Sequence, residues 1–486
     1  MEIKNILKEI DQNIILDLEQ QQVVIDNSKN LIVIAGAGSG KTTTIMAKVK
    51  YLVKYKHINP NEILIISFTN KTIDDLKDNI NNKLGIDAHI YTFHKLAYEL
   101  LKENDMRYKI NNDSNKLLEH LIKKNSNTKT IQKHLKKDKI YKKIIKNSLN
   151  ENKVFIDFTV NNIRTLQINN NNKPVIKNKY IEKYYEYINN ILSEYNEIIK
   201  DSYELDFESL ITKASKIDSI KNRYKYIIVD EYQDISKNRY ILLQKLIKIT
   251  NAYTIVVGDD FQAIYAFAGS NINLFLNYEN DMNAKKLFIS RTYRNSQELI
   301  NITGNFIMSS DKQIKKQLVS SKRLDNPLEI YGYTNNFTFQ FEKIINEISK
   351  TSNEILVLGR YKDDILKIKS NMFNIKDNNI IYKKNKNIII KFMTIHSAKG
   401  LGFENVILIN FENDIKGFPS KIKETNIRRE LFNMKTDILE ERRLFYVALT
   451  RTKNKVYILT KIKKESIFMK DIFKYNNVKI NYKYKP

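Results

Sequence analysis

An apolar run that leads straight into a glycine-rich loop constrains the fold of this chain more than any other feature. Residues 31–35 read LIVIA, and AGAGSGKTTT covers residues 35–44. A uniformly apolar run is typical of a strand covered on both faces, and a helical pattern begins at Lys41. In this order the loop amides and the helix N-terminus converge, and together they bind phosphate oxygens. The segment therefore predicts a phosphate-binding loop at the carboxyl edge of a parallel α/β sheet.

Each part of this loop has an expected contact with a nucleotide. The pattern G-x-x-x-x-G-K-[ST] is broken only at its first position, where Ala35 stands. Lys41 is expected to reach the β and γ phosphates, and the Thr42 hydroxyl to ligate Mg²⁺. The predicted nucleotide contacts in this segment are Gly36, Ala37, Gly38, Ser39, Gly40, Lys41, Thr42 and Thr43.

Two adjacent carboxylates follow a second apolar run. YIIV (226–229) leads into DEYQD (230–234). At the end of a strand, Asp230 suits contact with Mg²⁺, and Glu231 suits a general base for an attacking water. A lone Asp-Glu pair is usually a solvated turn. After a buried strand and downstream of a phosphate loop, the pair instead favours a nucleotide hydrolase.

A third segment, VGDDFQAIYAFAG (257–269), also follows a strand pattern. Gln262 is placed to sense a γ-phosphate. Tyr265 and Phe267 fit two interpretations, since they could stack on nucleic-acid bases or belong to a core. On this segment alone, the core is favoured.

The spacing of apolar runs predicts an α/β chain with two sheets. Further strand candidates lie at residues 63–68, 254–258, 286–290, 328–333, 354–359, 388–395, 406–410 and 456–460. Helical patterns separate them, notably at 294–307, 337–350 and 437–450, and this alternation is typical of parallel sheets with ligands at the carboxyl ends of the strands. Residues 102–201 contain no glycine and have a helical pattern, so we expect a helical insertion between two strands of the first sheet.

Composition narrows the classes of function. None of the 486 residues is cysteine, which excludes disulfides, thiolate metal sites and cysteine nucleophiles. No apolar stretch approaches bilayer length and the first residues do not read as a signal peptide, so we expect a cytoplasmic protein with no membrane partner. The net charge of +27 fits either nucleic-acid binding or a compositional drift toward Lys and Asn, and charge alone does not choose between them.

In their order along the chain, the three chemical segments resemble the helicase motifs of superfamily 1, in the UvrD/Rep/PcrA branch. The resemblance extends to 16–24 (LDLEQQQVV), 67–72 (SFTNKT), 92–97 (TFHKLA), 291–300 (RTYRNSQELI), 392–410 (FMTIHSAKGLGFENVILIN) and 440–453 (EERRLFYVALTRTK). It implies two RecA-like P-loop lobes with parallel sheets. Residues 1–101 and 202–285 would form the first lobe, 102–201 its helical insertion, and 286–486 the second lobe.

The resemblance also implies roles for individual residues. Gln20 would read adenine and Tyr293 would stack on it. Arg294 would contact the γ-phosphate, and Arg451 occupies the position of an arginine finger. The implied DNA contacts are Phe68, Thr69, Asn70, His94, Tyr265, Phe267, Thr394 and His396.

Three departures from the family pattern are evident. Gly402 stands where a glutamate usually holds the ribose hydroxyls, which predicts weak discrimination between ATP and dATP. Phe267 and Ala268 replace a Trp-Arg pair on the DNA side. Residues 365–391 are too few for the large helical insertion that relatives carry in the second lobe, so only a short residual insertion is expected.

Together these expectations describe an ATP-dependent DNA helicase or translocase. Its cofactors would be ATP and Mg²⁺, and its substrate single-stranded DNA or DNA with a single-stranded tail, with 3′ to 5′ polarity implied by the resemblance. The catalytic residues would be Lys41, Glu231, Gln262, Arg294 and Arg451. An alternative is an accessory ATPase that works with a protein partner in a multi-protein system such as antiphage defence. The chemistry suits RNA as well, whereas the retained catalytic positions disfavour a non-catalytic scaffold.

Overall fold

The computed structural model describes residues 3–111, 113–169, 174–202, 204–221, 223–310, 313–432 and 437–482. The strands in these ranges are β1 (Asn30–Ala35), β2 (Ile63–Ser67), β3 (His89–Thr92), β4 (Lys109–Ile110), β5 (Glu204–Leu205), β6 (Tyr226–Val229), β7 (Tyr253–Gly258), β8 (Lys285–Ile289), β9 (Leu328–Tyr333), β10 (Glu354–Gly359), β11 (Phe373–Lys376), β12 (Asn379–Tyr382), β13 (Ile389–Thr394), β14 (Asn405–Leu408), β15 (Val456–Lys461) and β16 (Val478–Ile480).

Helices alternate with most of these strands. They are α1 (Leu18–Ile25), α2 (Lys41–Lys56), α3 (Asn70–Lys77), α4 (Phe93–Glu103), α5 (Ser114–Lys124), α6 (Thr128–Leu135), α7 (Lys139–Lys146), α8 (Glu151–Asn169), α9 (Lys179–Ser202), α10 (Phe207–Ala214), α11 (Lys237–Thr250), α12 (Asn273–Leu276), α13 (Tyr278–Asp281), α14 (Gln297–Met308), α15 (Phe337–Ile348), α16 (Asn426–Phe432), α17 (Ile438–Leu449) and α18 (Met469–Ile472). In the part of the chain that the structure describes, no helix has the length and apolar character needed to cross a membrane.

The first sheet has the strand order β3-β2-β6-β7-β1-β8, and its neighbouring strands run parallel. Side chains of β1 alternate between two apolar cores: Ile32 and Ile34 face one, and Leu31 and Val33 face the other. Because both faces of β1 are covered, its sequence is uniformly apolar. The loop after β1 and the acidic segment after β6 leave the sheet at the same edge, as expected for ligand groups of a parallel sheet.

Strand β8 shows that the first sheet extends past residue 285, the predicted end of the first lobe. Residues Leu31 to Ala35 of β1 pair with Lys285 to Ile289 of β8 in parallel register. The apolar pattern of this strand identified it as a strand but carried no information about which sheet it joins.

The second sheet has the order β11-β12-β13-β10-β14-β15-β9-β16. From β13 to β16 the neighbouring strands are parallel, whereas β12 is antiparallel to both β11 and β13. The predicted short insertion at 365–391 thus contributes a β-hairpin at one edge of the sheet. The predicted fold class is confirmed: α/β, with two sheets of mainly parallel strands and a set of helices inserted in the first.

The inserted helices α5 to α9 lie between β4 and β5, which pair with each other as a short parallel ladder. Their apolar residues join one core with one face of the first sheet. A salt bridge between Arg164 of α8 and Asp206, the N-cap of α10, fixes the insertion to the lobe that carries it.

Candidate functional site

The loop after β1 has the backbone shape that the glycine pattern predicts. Gly38 and Gly40 adopt φ values of 70° and 79°, in the left-handed region that favours glycine. A Cβ on Gly40 would lie 2.8 Å from Nε2 of Gln20, and a Cβ on Gly38 would lie 2.5 Å from the Cβ of Arg294. Glycine is needed here for conformation and also because residues from two other segments approach the loop closely.

The segment that begins at Arg291 rests directly on this loop. The Thr292 hydroxyl donates to the carbonyl oxygen of Ala37 at 2.8 Å, and the Tyr293 amide donates to that of Gly38 at 3.0 Å. Tyr293 is 45% exposed, and its hydroxyl donates to the carboxylate of Asp17 at 3.0 Å. The structure therefore brings the predicted adenine-stacking ring beside the segment that contains Gln20.

Gln20 itself is buried, and both ends of its amide have partners. Its Nε2 donates to the carbonyl oxygen of Ser39 at 3.3 Å, and its Oε1 accepts from the Asp17 amide at 3.0 Å in a capping box at the start of α1. The side chain lies next to the loop as predicted. In the described structure its hydrogen bonds support the loop and the helix cap.

The two predicted carboxylates lie across from Lys41. Oε1 of Glu231 is 3.6 Å from Nζ of Lys41, and Asp230 is almost fully buried and accepts from the Glu231 amide at 2.9 Å. Burial and then the charge of Glu231 raise the pKa of Asp230. Burial also opposes the charged form of Glu231, but Lys41 and Lys399 outweigh it and hold the pKa of Glu231 below its ordinary value. Glu231 is thus kept ionised.

A chain of hydrogen bonds joins Gln262 to Arg451 across the two lobes. Nη2 of Arg451 donates to Oε1 of Gln262 at 3.0 Å, and Nε2 of Gln262 donates to Oδ2 of Asp259 at 2.6 Å. Arg451 is fully buried, and its Nε donates to the carbonyl oxygen of Val447 at 3.0 Å. Burial and then the charge of Arg294 lower the pKa of Arg451 to about 9, so the guanidinium remains charged at neutral pH.

Arg294 occupies space that a side chain at position 402 would restrict. Its Nη1 donates to the carbonyl oxygen of Thr450 at 3.4 Å, and a Cβ on Gly402 would lie 3.2 Å from its Nε. Burial lowers the pKa of Arg294, with Glu231 acting in the opposite direction. Arg294 and Arg451 thus both face the carboxylates of the first lobe.

Two buried lysines complete this cleft and were missed by the sequence analysis. Lys316 lies 2.6 Å from carboxylate oxygens of both Asp259 and Asp260. Lys399 lies 2.5 Å from Asp234 and donates to the carbonyl oxygen of Gln262 at 2.7 Å. Lys399 stands inside a segment that carried the family resemblance and could have been noticed there. Lys316 lies in a lysine-rich stretch without a distinguishing pattern.

A second group of predicted residues forms what we call the aromatic face: Tyr265, Phe267 and His396. The rings of Phe267 and His396 meet edge to face with centroids 5.1 Å apart, and the Tyr265 hydroxyl donates to the carbonyl oxygen of His396 at 3.1 Å. Phe267 is 60% exposed, so the core interpretation does not hold for this ring. Burial and the charges of Arg360 and Lys399 lower the pKa of His396 to about 3, which keeps it neutral.

The other predicted DNA contacts are more scattered. Phe68 packs against Phe93 with centroids 5.3 Å apart, while Thr69 caps α3 and, like Asn70, is exposed. The Thr394 hydroxyl is 2.7 Å from that of Ser397.

His94 lies apart from the aromatic face. Its ring packs against that of Phe207 at 5.0 Å, and burial with the charge of Arg239 lowers its pKa to about 4. His94 is half-buried and its aromatic partner is partly exposed, so the pair packs at the surface of the lobe.

The donor set at the loop fits Mg²⁺ held together with phosphates. Among the described residues no group of three or more His, Asp or Glu side chains is placed to hold a metal. Mg²⁺ commonly uses one or two protein ligands with phosphates and water as the remainder. The buried carboxylate of Asp230, whose pKa is raised by burial and by the charge of Glu231, and the half-buried Thr42 at the start of α2 match that requirement.

Comparison with known proteins gives matches along most of the chain. The UvrD/REP helicase N-terminal domain model matches residues 16–283, and the UvrD-like helicase C-terminal domain model matches residues 382–463. DNA helicase IV of Escherichia coli is 27% identical over 478 residues, covering 91% of this chain and 68% of the relative. A probable DNA helicase of Mycoplasma pneumoniae is 27% identical over 462 residues, covering 91% and 83%. The ATP-dependent DNA helicase PcrA of Bacillus subtilis is 38% identical over 95 residues, 19% of this chain and 13% of the relative.

Proposed function

Because this chain belongs to the UvrD/REP helicase family, we propose that it is an ATP-driven DNA helicase that translocates along single-stranded DNA in the 3′ to 5′ direction. The observation that carries the proposal is the cross-lobe arrangement of the cleft, in which Arg451 of the second lobe donates to Gln262 of the first. A cleft that draws catalytic groups from both lobes couples nucleotide hydrolysis to lobe movement.

In this proposal the residues of the first lobe bind ATP and activate the attacking water. The loop amides and Lys41 would hold the phosphates of ATP, and Thr42 and Asp230 would hold Mg²⁺, which would supply positive charge to the phosphate oxygens. Glu231, kept ionised by Lys41 and Lys399, accepts a proton from the attacking water. Glu231 has a left-handed backbone, with φ of 52°, and its carboxylate lies 3.6 Å from Nζ of Lys41.

The second lobe supplies positive charge for the transition state. Arg294 and Arg451 face the carboxylates of the cleft. They would stabilise the negative charge that develops on the phosphate oxygens in the transition state. Tyr293 would stack on adenine, since its ring is half-exposed above the segment that holds Gln20. Gln262, which lies in the 257–269 segment and accepts a hydrogen bond from Arg451, would relay the state of the γ-phosphate to Phe267 and the bound strand.

The aromatic face would hold the strand. Exposed rings stack on bases of any sequence, which suits a motor that passes along DNA without reading it. The alternative of an accessory ATPase gains no support from the relatives, whose names are those of DNA helicases. The roles of Thr69, Asn70 and Thr394 as backbone contacts belong to the same proposal, because all three lie at least partly exposed.

The test is ATP hydrolysis by the purified chain with and without single-stranded DNA, with Lys41→Ala as the variant. We expect strong stimulation by DNA and a loss of roughly 10²–10³ in kcat in the variant, since a preorganised phosphate-binding charge is removed. Lys29→Ala, in the same region but outside the loop, is the matched control. Turnover that is independent of DNA, or that survives in Lys41→Ala, would contradict the proposal. Strand displacement from 3′-tailed and 5′-tailed duplexes then tests polarity.

A further inference from the structure

A segment of the second lobe crosses to the helical insertion of the first lobe. The chain passes from β14 through Phe411 and Phe418, which lie in the core of the second lobe. It then enters α16, which packs against α8 and α9, and returns to the second lobe in α17. We call residues 421–432 the strap.

The strap is docked by apolar burial and by hydrogen bonds. Ile427 and Leu431 are buried in the core that the insertion shares with the first sheet. The Ile427 amide donates to the carboxylate of Asp138 at 3.3 Å, and Glu430 accepts from the Lys177 amide at 2.9 Å. Burial of these two large aliphatic side chains stabilises the docked position. This contact is therefore a built interface between the two parts of the chain.

The strap also begins from a fixed point on the second lobe. The Ser420 amide donates to the carboxylate of Glu441 at 3.0 Å, and the Ser420 hydroxyl lies 2.6 Å from that of Tyr361. Glu441 in turn is 2.7 Å from Arg360. With both ends of the crossing held, the first lobe, the insertion, the strap and the second lobe form a closed circuit.

A large cavity lies inside this circuit. Its volume is about 2060 Å³, and its wall includes Ile168 of the insertion, Phe267 of the first lobe, His396 of the second lobe and Arg428 of the strap. Pockets for small ligands usually measure about 300–1,000 Å³, so the space suits a length of polymer. It also contains two of the three residues of the aromatic face.

Among the residues that the structure describes, the cavity wall contains five basic and five acidic side chains, and each acidic side chain has a hydrogen-bond or ion-pair partner within the protein. Glu424 is 3.3 Å from Arg428 and Glu441 is 2.7 Å from Arg360, so these two carboxylates are paired with cations. Lys177 and Arg429 lie in the same wall and are exposed. A strand that enters this space would meet exposed cations and aromatic rings beside acidic groups that already have partners in the protein.

We propose that the strap closes the nucleic-acid path into a ring, so that the chain takes single strands that have a free end and holds them topologically. This inference rests on the proposed function, because it assigns the bound strand to the aromatic face. A closed circular strand would enter only when the strap leaves the insertion. The preferred substrate is therefore a linear single strand, and a docked strap resists dissociation from a strand whose ends are blocked.

The absence of cysteine from the chain makes a clean test available. Asn178 and Glu430 touch through their side chains, so Asn178→Cys with Glu430→Cys places two thiols at the docked contact for joining by a short bis-maleimide. ATP turnover is then measured with one single-stranded DNA in linear and in ligated circular form. We expect the joined protein to respond to the linear strand and to respond at least ten-fold less to the circle, whereas the unjoined variant responds to both forms with a smaller preference for the linear strand.

Two controls distinguish a failure of the strap proposal from a failure of the proposed function. Each single cysteine variant treated with the reagent should behave as the same variant without reagent, and replacement of residues 421–436 by a short Gly-Ser linker should remove the preference for linear DNA. An equal response of the joined protein to circle and linear strand would overturn the strap proposal. Failure of both DNA forms to stimulate the unmodified protein would instead defeat the proposed function.

Discussion

The nucleotide cleft and the aromatic face of this molecule are built by opposite physical means. In the cleft, buried charges of the two lobes pair across the boundary, as Lys316 does with Asp259 and Asp260, and Lys399 with Asp234. In the aromatic face, a half-exposed ring and a neutral histidine meet edge to face. One region depends on a few strong, direction-dependent contacts, and the other on weaker contacts between rings.

This difference predicts that substitutions in the two regions have different effects. Removing one partner of a buried ion pair leaves an uncompensated charge, which is strongly destabilising. Removing a stacking ring lowers affinity by a modest and nearly sequence-independent amount. Substitutions in the cleft should therefore lower ATP turnover or prevent folding. Substitutions in the aromatic face should lower the affinity for single-stranded DNA.

The largest effect is expected for Arg451→Ala. Removal of an arginine that stabilises a phosphoryl-transfer transition state lowers kcat by about 10³–10⁵. The measurement is ATP turnover at saturating single-stranded DNA, with Arg323→Ala, whose side chain is 63% exposed, as control. Nucleotide binding and thermal unfolding of the variant distinguish lost catalysis from lost structure. A decrease in kcat of less than ten-fold would show that Arg451 does not stabilise the transition state.

A smaller effect, on stability, is expected for Lys316→Met. The substitution leaves Asp259 and Asp260 buried without their cation, and breaking such a pair costs about 3–5 kcal/mol. Urea unfolding followed by fluorescence measures the change, with the neighbouring exposed Lys315→Met as control. Equal unfolding midpoints for both variants would show that the cleft tolerates an unpaired buried charge. The proposed difference between the cleft and the aromatic face would then not hold.

For the aromatic face we expect a moderate loss of affinity from Phe267→Ala. One stacked base is worth about 1–3 kcal/mol, which corresponds to roughly 5–150-fold in the Kd for single-stranded DNA. Phe339→Ala is a matched control, because the two rings are 60% and 61% exposed and Phe339 lies on α15 of the second lobe. Fluorescence anisotropy with a labelled oligonucleotide provides the measurement. Equal weakening in both variants would contradict a specific role for Phe267.

The smallest effect concerns His94 and the pH dependence of stability. Its pKa lies near 4 in the folded chain against an ordinary value of 6.5, so the unfolded state binds the proton first as pH falls. Its contribution to stability is therefore complete above about pH 6.5 and decreases progressively toward pH 4. We expect the unfolding temperature of His94→Gln to fall less steeply than that of the wild type between these values. His120→Gln, at an exposed position, should keep the wild-type slope.

Sequence patterns predicted the contiguous parts of the molecule well. The loop at 36–42 and the pair Asp230–Glu231 follow single strands, so local order along the chain was sufficient to place them. Lys316 could not be found in this way, because a buried ion pair between distant segments leaves no local periodicity. The strap was missed for a related reason: the apolar residues of a seven-residue helix do not reveal which core they enter.

The same limit applies to β8 and to His94. The apolar pattern of β8 specifies a strand, whereas its place beside β1 is decided by long-range pairing. The resemblance assigned His94 to DNA, while its packing against Phe207 depends on a residue far away in the chain. Roles that rest on the resemblance alone, such as adenine reading by Gln20, stay predictions.

The hairpin of β11 and β12 offers a practical opportunity for protein engineering. Its turn, at Asp377 with φ of 56°, is exposed, and β11 lies at the edge of the second sheet. Exposed turns of this kind tolerate the insertion of a folded domain, because no interior strand is interrupted. A fluorescent reporter grafted at Asp377 would travel with the second lobe, and a dye on the first lobe would then report the distance between the two lobes in single molecules.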